Sequence, residues 1–320
     1  MGHELKSALR SGWFRTVALG ISIVVMVACA DDDRLGPTAG ADPVSGPDDV
    51  AAATLAGIVF SSSALTVSQI NSVHTGMVEA STPSELLSFL AQLRSKGGRV
   101  LIKLAGGENT YRNSDGTFNL TKWKSGVDRY RNIDFRSYIA DGTIVGHYLV
   151  DEPHFASRWG DQTIPQATVE AAAKHSKQRW PNLPTLVNAP ANWLASVPVT
   201  YVHLDAGWAM FRAKTSSSPA TWATLQVNKA KSKGLGLVAG LNVLDGGDGS
   251  SGLRGTQPNT WAMSAAELRN YGSALLSQSH VCAFSMWRYS ASYYGRADVK
   301  SAMADLSAKA KSHARTSCRQ

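Results

Sequence analysis

The feature that most constrains the fold is a regular alternation of short apolar runs and amphipathic stretches between residues 51 and 320. Short apolar runs are typical of buried strands, and apolar residues at helical spacing are typical of helices. The predicted strands are Leu55–Phe60, Thr75–Glu79, Arg99–Ala105, Thr143–Val150, Thr185–Asn188, Tyr201–Asp205, Leu235–Val243 and Val281–Tyr289. The predicted helices are Pro83–Lys96, Trp123–Tyr138, Gln166–Trp180, Ala220–Lys233, Ala265–Gln278 and Asp298–His313.

Strands that alternate with helices predict a parallel sheet. Eight strands over this length match the size of one (β/α)8 barrel, although Ser61–Val73 is short for a first helix. A doubly wound open sheet is the alternative, but it calls for a glycine-rich phosphate turn after the first strand, and Phe60–Ser63 reads FSSS. We therefore predict an α/β fold, a single-domain TIM barrel over residues 51–320.

The N-terminal segment is predicted to be a signal peptide. Basic residues precede an apolar run, Thr16–Ala28, which is shorter than a membrane-spanning helix requires. The run ends in Met26-Val27-Ala28-Cys29, which resembles a bacterial lipobox with Met in place of Leu. The resemblance implies cleavage before Cys29 and lipid attachment to Cys29. A plain secretory signal is the alternative.

Residues 30–50 are predicted to be a disordered linker. They contain six Asp, three Pro and three Gly with few large apolar side chains, so they cannot bury enough apolar surface to fold. The predicted order is therefore a signal peptide over 1–29, a linker over 30–50 and a barrel over 51–320. We expect an exported protein, anchored by lipid to the periplasmic or outer face of the bacterial cell envelope.

The barrel segment is strongly basic. Residues 51–320 carry 28 basic and 17 acidic side chains, a net charge of +11, which suits an anionic polysaccharide, a lipid headgroup or nucleic acid. The basic residues are dispersed, so a solvated basic surface is the simpler interpretation. Export and the lack of a recognisable motif argue against nucleic acid as a partner.

Three cysteines are too few for a disulfide-built scaffold. If Cys29 carries lipid, Cys282 and Cys318 remain, and an oxidising compartment allows them to pair. Cys282 opens the predicted eighth strand and Cys318 follows the last helix, so both are expected at the amino ends of the strands. A disulfide and two unpaired thiols are both compatible with this placement.

Function in this fold concentrates at the carboxyl ends of the strands. The sequence Asp151-Glu152-Pro153 follows the predicted fourth strand, and two adjacent carboxylates are costly to bury without a role. Pro153 restricts Glu152 to an extended backbone, which would direct its side chain into the barrel mouth. A salt-bridged pair that anchors the loop is the alternative.

The run His147–Pro153, HYLVDEP, resembles the fourth-strand segment of barrel-type glycoside hydrolases. Residues 51–320 as a whole resemble an uncharacterised, glycosidase-like barrel family of bacterial lipoproteins. The resemblance implies that Glu152 is a general acid and that Trp287 is a platform for sugar stacking. Two departures stand out: Asp151 occupies a position where large families have Asn, and the seventh strand ends in Asn242 rather than a nucleophilic Glu.

Asp205 is the first candidate for a second carboxylate, since glycoside hydrolysis uses two. Alternation along Tyr201–Asp205 places His203 and Asp205 on the face opposite Val202 and Leu204, which we expect to be the barrel interior. A structural role for Asp205, as the partner of His203 or Lys103, is the alternative. Asp151, Asp245 and Glu108 are the reserves.

The expected function is hydrolysis of glycosidic bonds in an extracellular or periplasmic glycan, neutral or anionic, with no cofactor and no metal. The expected catalytic residues are Glu152 and Asp205. One alternative is a carbohydrate-binding lipoprotein without turnover. The other is a lyase or aldolase that forms a Schiff base through Lys103. The expected substrate-binding residues are Trp287, Asp151, His203, Asn188, Asn242, Tyr289, Lys103 and Glu108.

Overall fold

A computed structural model describes residues 57–314 and 317–318, so the predicted signal peptide, the linker and Cys29 lie outside the described residues. Eight parallel strands close into a barrel in chain order, which confirms the predicted (β/α)8 fold. The strands are β1 Phe60–Ser63, β2 Gly76–Glu79, β3 Arg99–Ile102, β4 Ile144–Asp151, β5 Thr185–Asn188, β6 Ala206–Phe211, β7 Gly236–Leu241 and β8 Val281–Met286.

Helices cover the outside of the barrel. Their bounds are α1 Leu86–Ser95, α2 Leu120–Asp128, α3 Arg136–Ala140, α4 Gln166–Arg179, α5 Ala191–Leu194, α6 Pro219–Lys231, α7 Ala265–Leu276, α8 Ala291–Tyr294 and α9 Ala297–Lys311. Local sequence sets some of these ends. Ser264 caps α7 in a capping box with Glu267, and Ser218 caps α6 directly before Pro219.

Alternating side chains divide the buried residues into two cores. Leu101 of β3 points into the barrel, whereas Val100 and Ile102 point outward against the helices. The inner core is closed by side chains from the other strands, including Tyr148 and Trp208. Within the described part of the chain, no helix is long and apolar enough to cross a membrane.

The first strand lies further along the chain than predicted. The expected strand was Leu55–Phe60, but β1 runs from Phe60 to Ser63. Serine is tolerated in this buried strand because the Oγ atoms of Ser61 and Ser62 donate hydrogen bonds of 3.3 Å to carbonyl oxygens of β8. Only a short 3₁₀ turn at Val67–Gln69 precedes β2, in line with the short first connection.

The predicted helix over 123–138 is two helices, α2 and α3. Just before α3, a carboxylate oxygen of Asp134 accepts a hydrogen bond from the backbone N–H of Arg136 at 3.1 Å. Short side chains that bond to nearby backbone groups favour a turn over a continuous helix.

The sixth strand is the largest error of the sequence prediction. The strand expected over Tyr201–Asp205 is wrong, because β6 begins at Ala206 and the preceding residues form a loop in which Val202 is 74% exposed. The loop has the alternating pattern of a strand, whereas β6 reads AGWAMF and shows little of it. His203 and Asp205 therefore lie at the amino ends of the strands, opposite the barrel mouth.

The contacts of these two residues are structural. Asp205 Oδ2 binds Lys177 Nζ at 2.6 Å and accepts a hydrogen bond from the backbone N–H of Thr185 at 2.7 Å. His203 Nδ1 contacts a carboxylate oxygen of Glu170 at 2.8 Å. The prediction that Asp205 and His203 face a substrate is wrong, and the alternative of a structural partner for Asp205 holds, with Lys177 as that partner.

Replacing Asp205 with Asn is expected to lower the free energy of unfolding by about 1–3 kcal/mol, because hydrogen bonds to a charged group are weakened. Urea denaturation measures this loss. The same variant is expected to retain the parent's activity, since Asp205 lies at the far end of the barrel from the mouth. A stable but inactive Asp205→Asn protein would contradict this assignment.

Cys282 and Cys318 form a disulfide, so the pairing left open by the sequence is present. Cys282 is the second residue of β8, and both sulfur atoms lie in the inner core at the amino ends of the strands. This is the placement predicted from the order of the last strand and helix.

Candidate active site

The carboxyl ends of the strands surround a cavity of about 560 Å³. Most of its lining is polar, and it draws on β4, β5 and β6 and on the residues that follow β4, β6, β7 and β8. The lining residues are Asp151, Glu152, Arg158, Asn188, Met210, Arg212, Lys214, Asn242, Asp245, Gln257, Pro258, Thr260 and Trp287.

The carboxyl end of β4 carries the two adjacent carboxylates. Its register with β5 shifts between Tyr148 and Asp151, so Asp151 faces the same interior as Tyr148, against simple alternation. The Tyr148 hydroxyl donates a hydrogen bond of 2.5 Å to Asp151 Oδ1, and Asn188 Nδ2 donates another of 2.6 Å. The Asp151 carboxylate is therefore fixed by side chains from two neighbouring strands.

The guanidinium of Arg158 forms ion pairs with three carboxylates. Its Nη2 binds Asp151 Oδ2 at 2.6 Å, and its Nη1 binds Glu152 Oε2 at 2.7 Å. The guanidinium also binds Glu108, which in turn binds Arg112 at 2.7 Å. Burial would lower the pKa of Arg158, but its hydrogen bonds and the three negative charges raise it. Since one guanidinium binds both neighbours, Asp151 and Glu152 lie side by side.

Glu152 has two unusual properties. Its backbone has a φ of +45°, a conformation that side-chain-bearing residues rarely adopt. The extended backbone predicted from Pro153 is therefore wrong. Burial raises the pKa of Glu152, and the charge of Asp151 raises it further, while Arg158 and Arg212 oppose both effects. The net direction is upward, so the carboxyl group keeps its proton to a higher pH than an exposed Glu.

Both carboxylate oxygens of Asp245 accept hydrogen bonds from the loop that contains it. Its oxygens accept hydrogen bonds from the hydroxyls of Thr256 and Thr260 at 2.7 Å each, and from the backbone N–H groups of Thr256 and Gln257. Burial alone would raise the pKa of Asp245, but these hydrogen bonds hold it below its usual value. Asp245 therefore anchors the 256–260 loop over the cavity.

Trp287 and Asn242 complete the opposite wall. Trp287 directly follows β8, and its backbone bonds to Leu241 and Val243 at 3.0 and 2.9 Å, so its half-buried ring is fixed at the cavity edge. Asn242 Oδ1 accepts a hydrogen bond of 3.0 Å from the backbone N–H of Asp245. Among the described residues, no three His, Cys, Asp or Glu side chains are arranged to hold a metal ion.

No family model and no curated protein matches the chain. Among solved structures it is similar to a β-glucanase from Saccharophagus degradans, at 10% identity over 75% of this chain and 80% of that one, with a TM-score of 0.49. It is similar to xylanase 10B from Thermotoga petrophila in complex with xylobiose, at 10% identity over 81% and 95%, with a TM-score of 0.49. It is also similar to an endocellulase from Pyrococcus horikoshii in complex with cellotetraose, at 11% identity over 75% and 85%, with a TM-score of 0.48. Since all three TM-scores are below 0.5, we derive the function from the site's own residues.

The structure brings together most of the residues singled out in the sequence. The ones that line the cavity are Asp151, Glu152, Asn188, Asn242, Asp245 and Trp287. Glu108 lies behind it on Arg158, and the Lys103 ammonium lies 4.6 Å from the centre of the Tyr148 ring. Tyr289 is not among the residues that line the cavity, and its ring packs against Tyr294 at 4.9 Å. Its contact with a substrate stays a prediction.

The cations of the site, Arg158, Arg212 and Lys214, were not predicted from the sequence. Arg158 lies in the loop after β4, and a short 3₁₀ turn at Ala156–Arg158 folds it back onto the strand end. Arg212 and Lys214 follow β6, which was placed too early in the chain. Correct placement of β6 would have put both among the strand-end residues, whereas no local signal marks Arg158.

Replacing Arg158 with Met is expected to raise the pKa of Glu152 further, because a neighbouring positive charge and a hydrogen bond to the carboxylate are removed. Carboxyl-carbon NMR titration measures this shift. Arg158→Lys retains the charge and is expected to move the pKa less. An unchanged Glu152 pKa in Arg158→Met would show that the guanidinium does not act on this carboxyl group.

Proposed function

We propose that the cavity hydrolyses glycosidic bonds, with Glu152 as the general acid. The observation that carries the proposal is the placement of Glu152, a carboxyl group with a raised pKa beside a second carboxylate, at the carboxyl end of β4 in a polar cavity. Departure of a sugar alkoxide needs a proton donor. Burial moves the pKa of Glu152 upward, which is the direction that this role requires.

Asp151 is the second carboxylate of the proposal. Because Tyr148, Asn188 and Arg158 hold it in place, it supplies a fixed negative charge beside the reacting carbon, where positive charge develops in the transition state. Asp245 is not assigned this role, because its hydrogen bonds anchor the 256–260 loop, whereas Asp151 lies beside Glu152 on Arg158. Asp205 is unsuited because it lies at the opposite end of the barrel.

The remaining walls suit a polymeric sugar. The face of Trp287 offers an apolar surface for one side of a sugar ring, and Asn188 and Asn242 offer amide groups for hydroxyls. A second cavity of about 340 Å³ shares Lys214, Asp245 and Thr260 with the first. The second cavity offers space for further sugar units beside the first.

The direct test is release of reducing ends from a panel of neutral and anionic polysaccharides. Release of oligosaccharides by the parent protein, with initial rates proportional to enzyme concentration, is the expected result. Asp205→Asn serves as the matched control, since it alters a carboxylate in the same barrel away from the cavity. No release from any member of the panel would contradict the proposal.

The second candidate function is sugar binding without turnover. It is favoured by one observation, that Asp245, the carboxylate contributed to the cavity by the loop after β7, is already occupied by hydrogen bonds. Saturable binding of one glycan, equal in the parent and in Glu152→Gln and without release of product, would establish this function instead.

The Lys103 alternative is tested separately. The ammonium of Lys103 lies over the Tyr148 ring rather than in the main cavity. Borohydride reduction in the presence of carbonyl compounds is expected to leave Lys103 unmodified, and a covalent adduct on Lys103 would favour the lyase or aldolase.

We also propose export and attachment to the cell envelope through Cys29. The support is the lipobox-like sequence and the acidic, proline-containing segment after it. Replacing Cys29 with Ser in the full chain is expected to move the protein from the membrane fraction to the soluble fraction. Unchanged membrane association of Cys29→Ser would contradict the anchor.

A further inference from the structure

Two cations line the cavity without a carboxylate partner among residues 57–314 and 317–318. Arg212 and Lys214 follow β6 and line the 560 Å³ cavity. In the part of the chain that the structure describes, neither forms an ion pair, whereas Arg158, the third cation of the lining, binds three carboxylates. The positive charge that remains available in this cavity therefore lies at the end of β6.

The carboxylates that line the same cavity already bind other groups of the protein. Asp151 and Glu152 are bound by Arg158, and the oxygens of Asp245 accept hydrogen bonds from the 256–260 loop. Arg212 lies close enough to Glu152 to lower the pKa of that carboxyl group without contacting it. Arg212 and Glu152 therefore line the same cavity and interact through space.

The backbone gives Arg212 its position. A Cβ atom on Gly246 would lie 3.3 Å from Cγ of Arg212 and 2.4 Å from the carbonyl oxygen of Asn242. The absence of a side chain at Gly246 leaves room for the half-buried stem of Arg212 along the cavity wall, while Lys214 is exposed at the rim.

From this geometry we infer that the cavity binds a glycan containing uronic acid, with Arg212 and Lys214 on the sugar carboxylate. The inference rests on the proposed function and names its substrate class. A planar guanidinium matches a carboxylate through two parallel hydrogen bonds, and the lysine adds a point charge. The net charge of +11 over residues 51–320 would raise the local concentration of such a polymer.

The test measures binding without turnover, by affinity electrophoresis of the full-length Glu152→Gln protein. The gels contain polygalacturonate, alginate or hyaluronan, each beside the same polymer with its carboxyl groups reduced to primary alcohols. We expect retardation by at least one native polymer and an apparent Kd at least tenfold weaker for its reduced form. Dextran sulfate beside dextran tests whether sulfate replaces carboxylate.

Adding Arg212→Gln to this protein is expected to weaken polyuronate binding about tenfold or more, through the loss of a charge-assisted contact. Arg269→Gln is the matched control, because it removes the same charge from an Arg of α7 that pairs with Asp305 on the outer surface. Equal effects of the two substitutions would reduce the interaction to net charge and overturn the inference.

Three other outcomes would also overturn it: equal retardation by native and reduced polymers, no retardation by any of the three polyuronates, or tighter binding of dextran sulfate than of every polyuronate. These results are independent of hydrolysis. An enzyme that releases sugars from neutral glycans alone and binds no polyuronate would retain the proposed function and lose this inference. Polyuronate binding without hydrolysis of any glycan would support this inference and contradict the proposed function.

Discussion

Replacing Glu152 with Gln is expected to lower kcat/KM for glycan hydrolysis by about 10²–10⁴-fold, the usual contribution of a general acid or base. Gln matches the shape of Glu and has no proton of suitable acidity to donate to the leaving oxygen. Initial rates of reducing-end release, with parent and variant at equal folded concentration, measure the loss.

The leaving group distinguishes an acid from a residue that only shapes the cavity. A dinitrophenyl glycoside departs with little help from a proton, so the loss in Glu152→Gln is expected to be much smaller with it than with a polysaccharide. Glu79→Gln is the matched control, because Glu79 ends β2, two strands away from β4 in the barrel, and does not line the cavity. An equal loss with both leaving groups would remove Glu152 from the role of acid.

The same variant has a stability consequence whose sign follows from the raised pKa of Glu152. A carboxyl group whose pKa is higher in the folded than in the unfolded protein supplies stability at low pH, which is lost as the pH rises through the folded pKa. The Glu152→Gln variant has no ionisable group at this position, so it does not lose stability in this way as the pH rises. Its melting temperature relative to the parent is therefore expected to be higher at neutral pH than at acidic pH, and the opposite trend would contradict a raised pKa.

The barrel could be predicted from the sequence because it depends on local patterns. A parallel strand buried on both faces is a continuous apolar run, so most of β4, β5 and β8 were located closely. The sixth strand was misplaced because AGWAMF is rich in small residues. Glycine at 207 relieves close packing, since a Cβ there would lie 2.6 Å from Cδ1 of Leu194 and 3.0 Å from the carbonyl oxygen of Ala189, and such packing leaves no periodic signal.

The candidate site was predictable only in part, because its geometry depends on departures from regular structure. Glu152 was identified from its place after an apolar strand. The register shift after Tyr148, which turns Asp151 inward, is invisible in the alternation of side chains. The contact of Arg158 with Glu108 joins loops 50 residues apart in the chain, and no short-range pattern encodes such a pairing.

The disulfide between Cys282 and Cys318, at the opposite end of the barrel from the cavity, is expected to make a large contribution to stability. Replacing Cys282 or Cys318 with Ala is expected to lower the free energy of unfolding by about 3–4 kcal/mol, because the crosslink joins residues 36 positions apart and restricts the unfolded chain. Urea denaturation measures the loss. Each single variant and the double variant are expected to lose the same amount, since either substitution removes the same bond.

Equal losses of free energy of unfolding in the two single variants and the double variant would assign the stability to the disulfide, because lost packing contacts would give unequal losses. Both side chains are at most 1% exposed, so truncation also removes buried contacts, and losses that come from packing add when two sites are changed together. A double variant that loses the sum of the two single losses would assign the stability to packing. Below their melting temperatures the variants are expected to retain the parent's kcat, because the bond lies at the amino ends of the strands. A lower kcat in a folded variant would show that the two ends of the barrel are coupled.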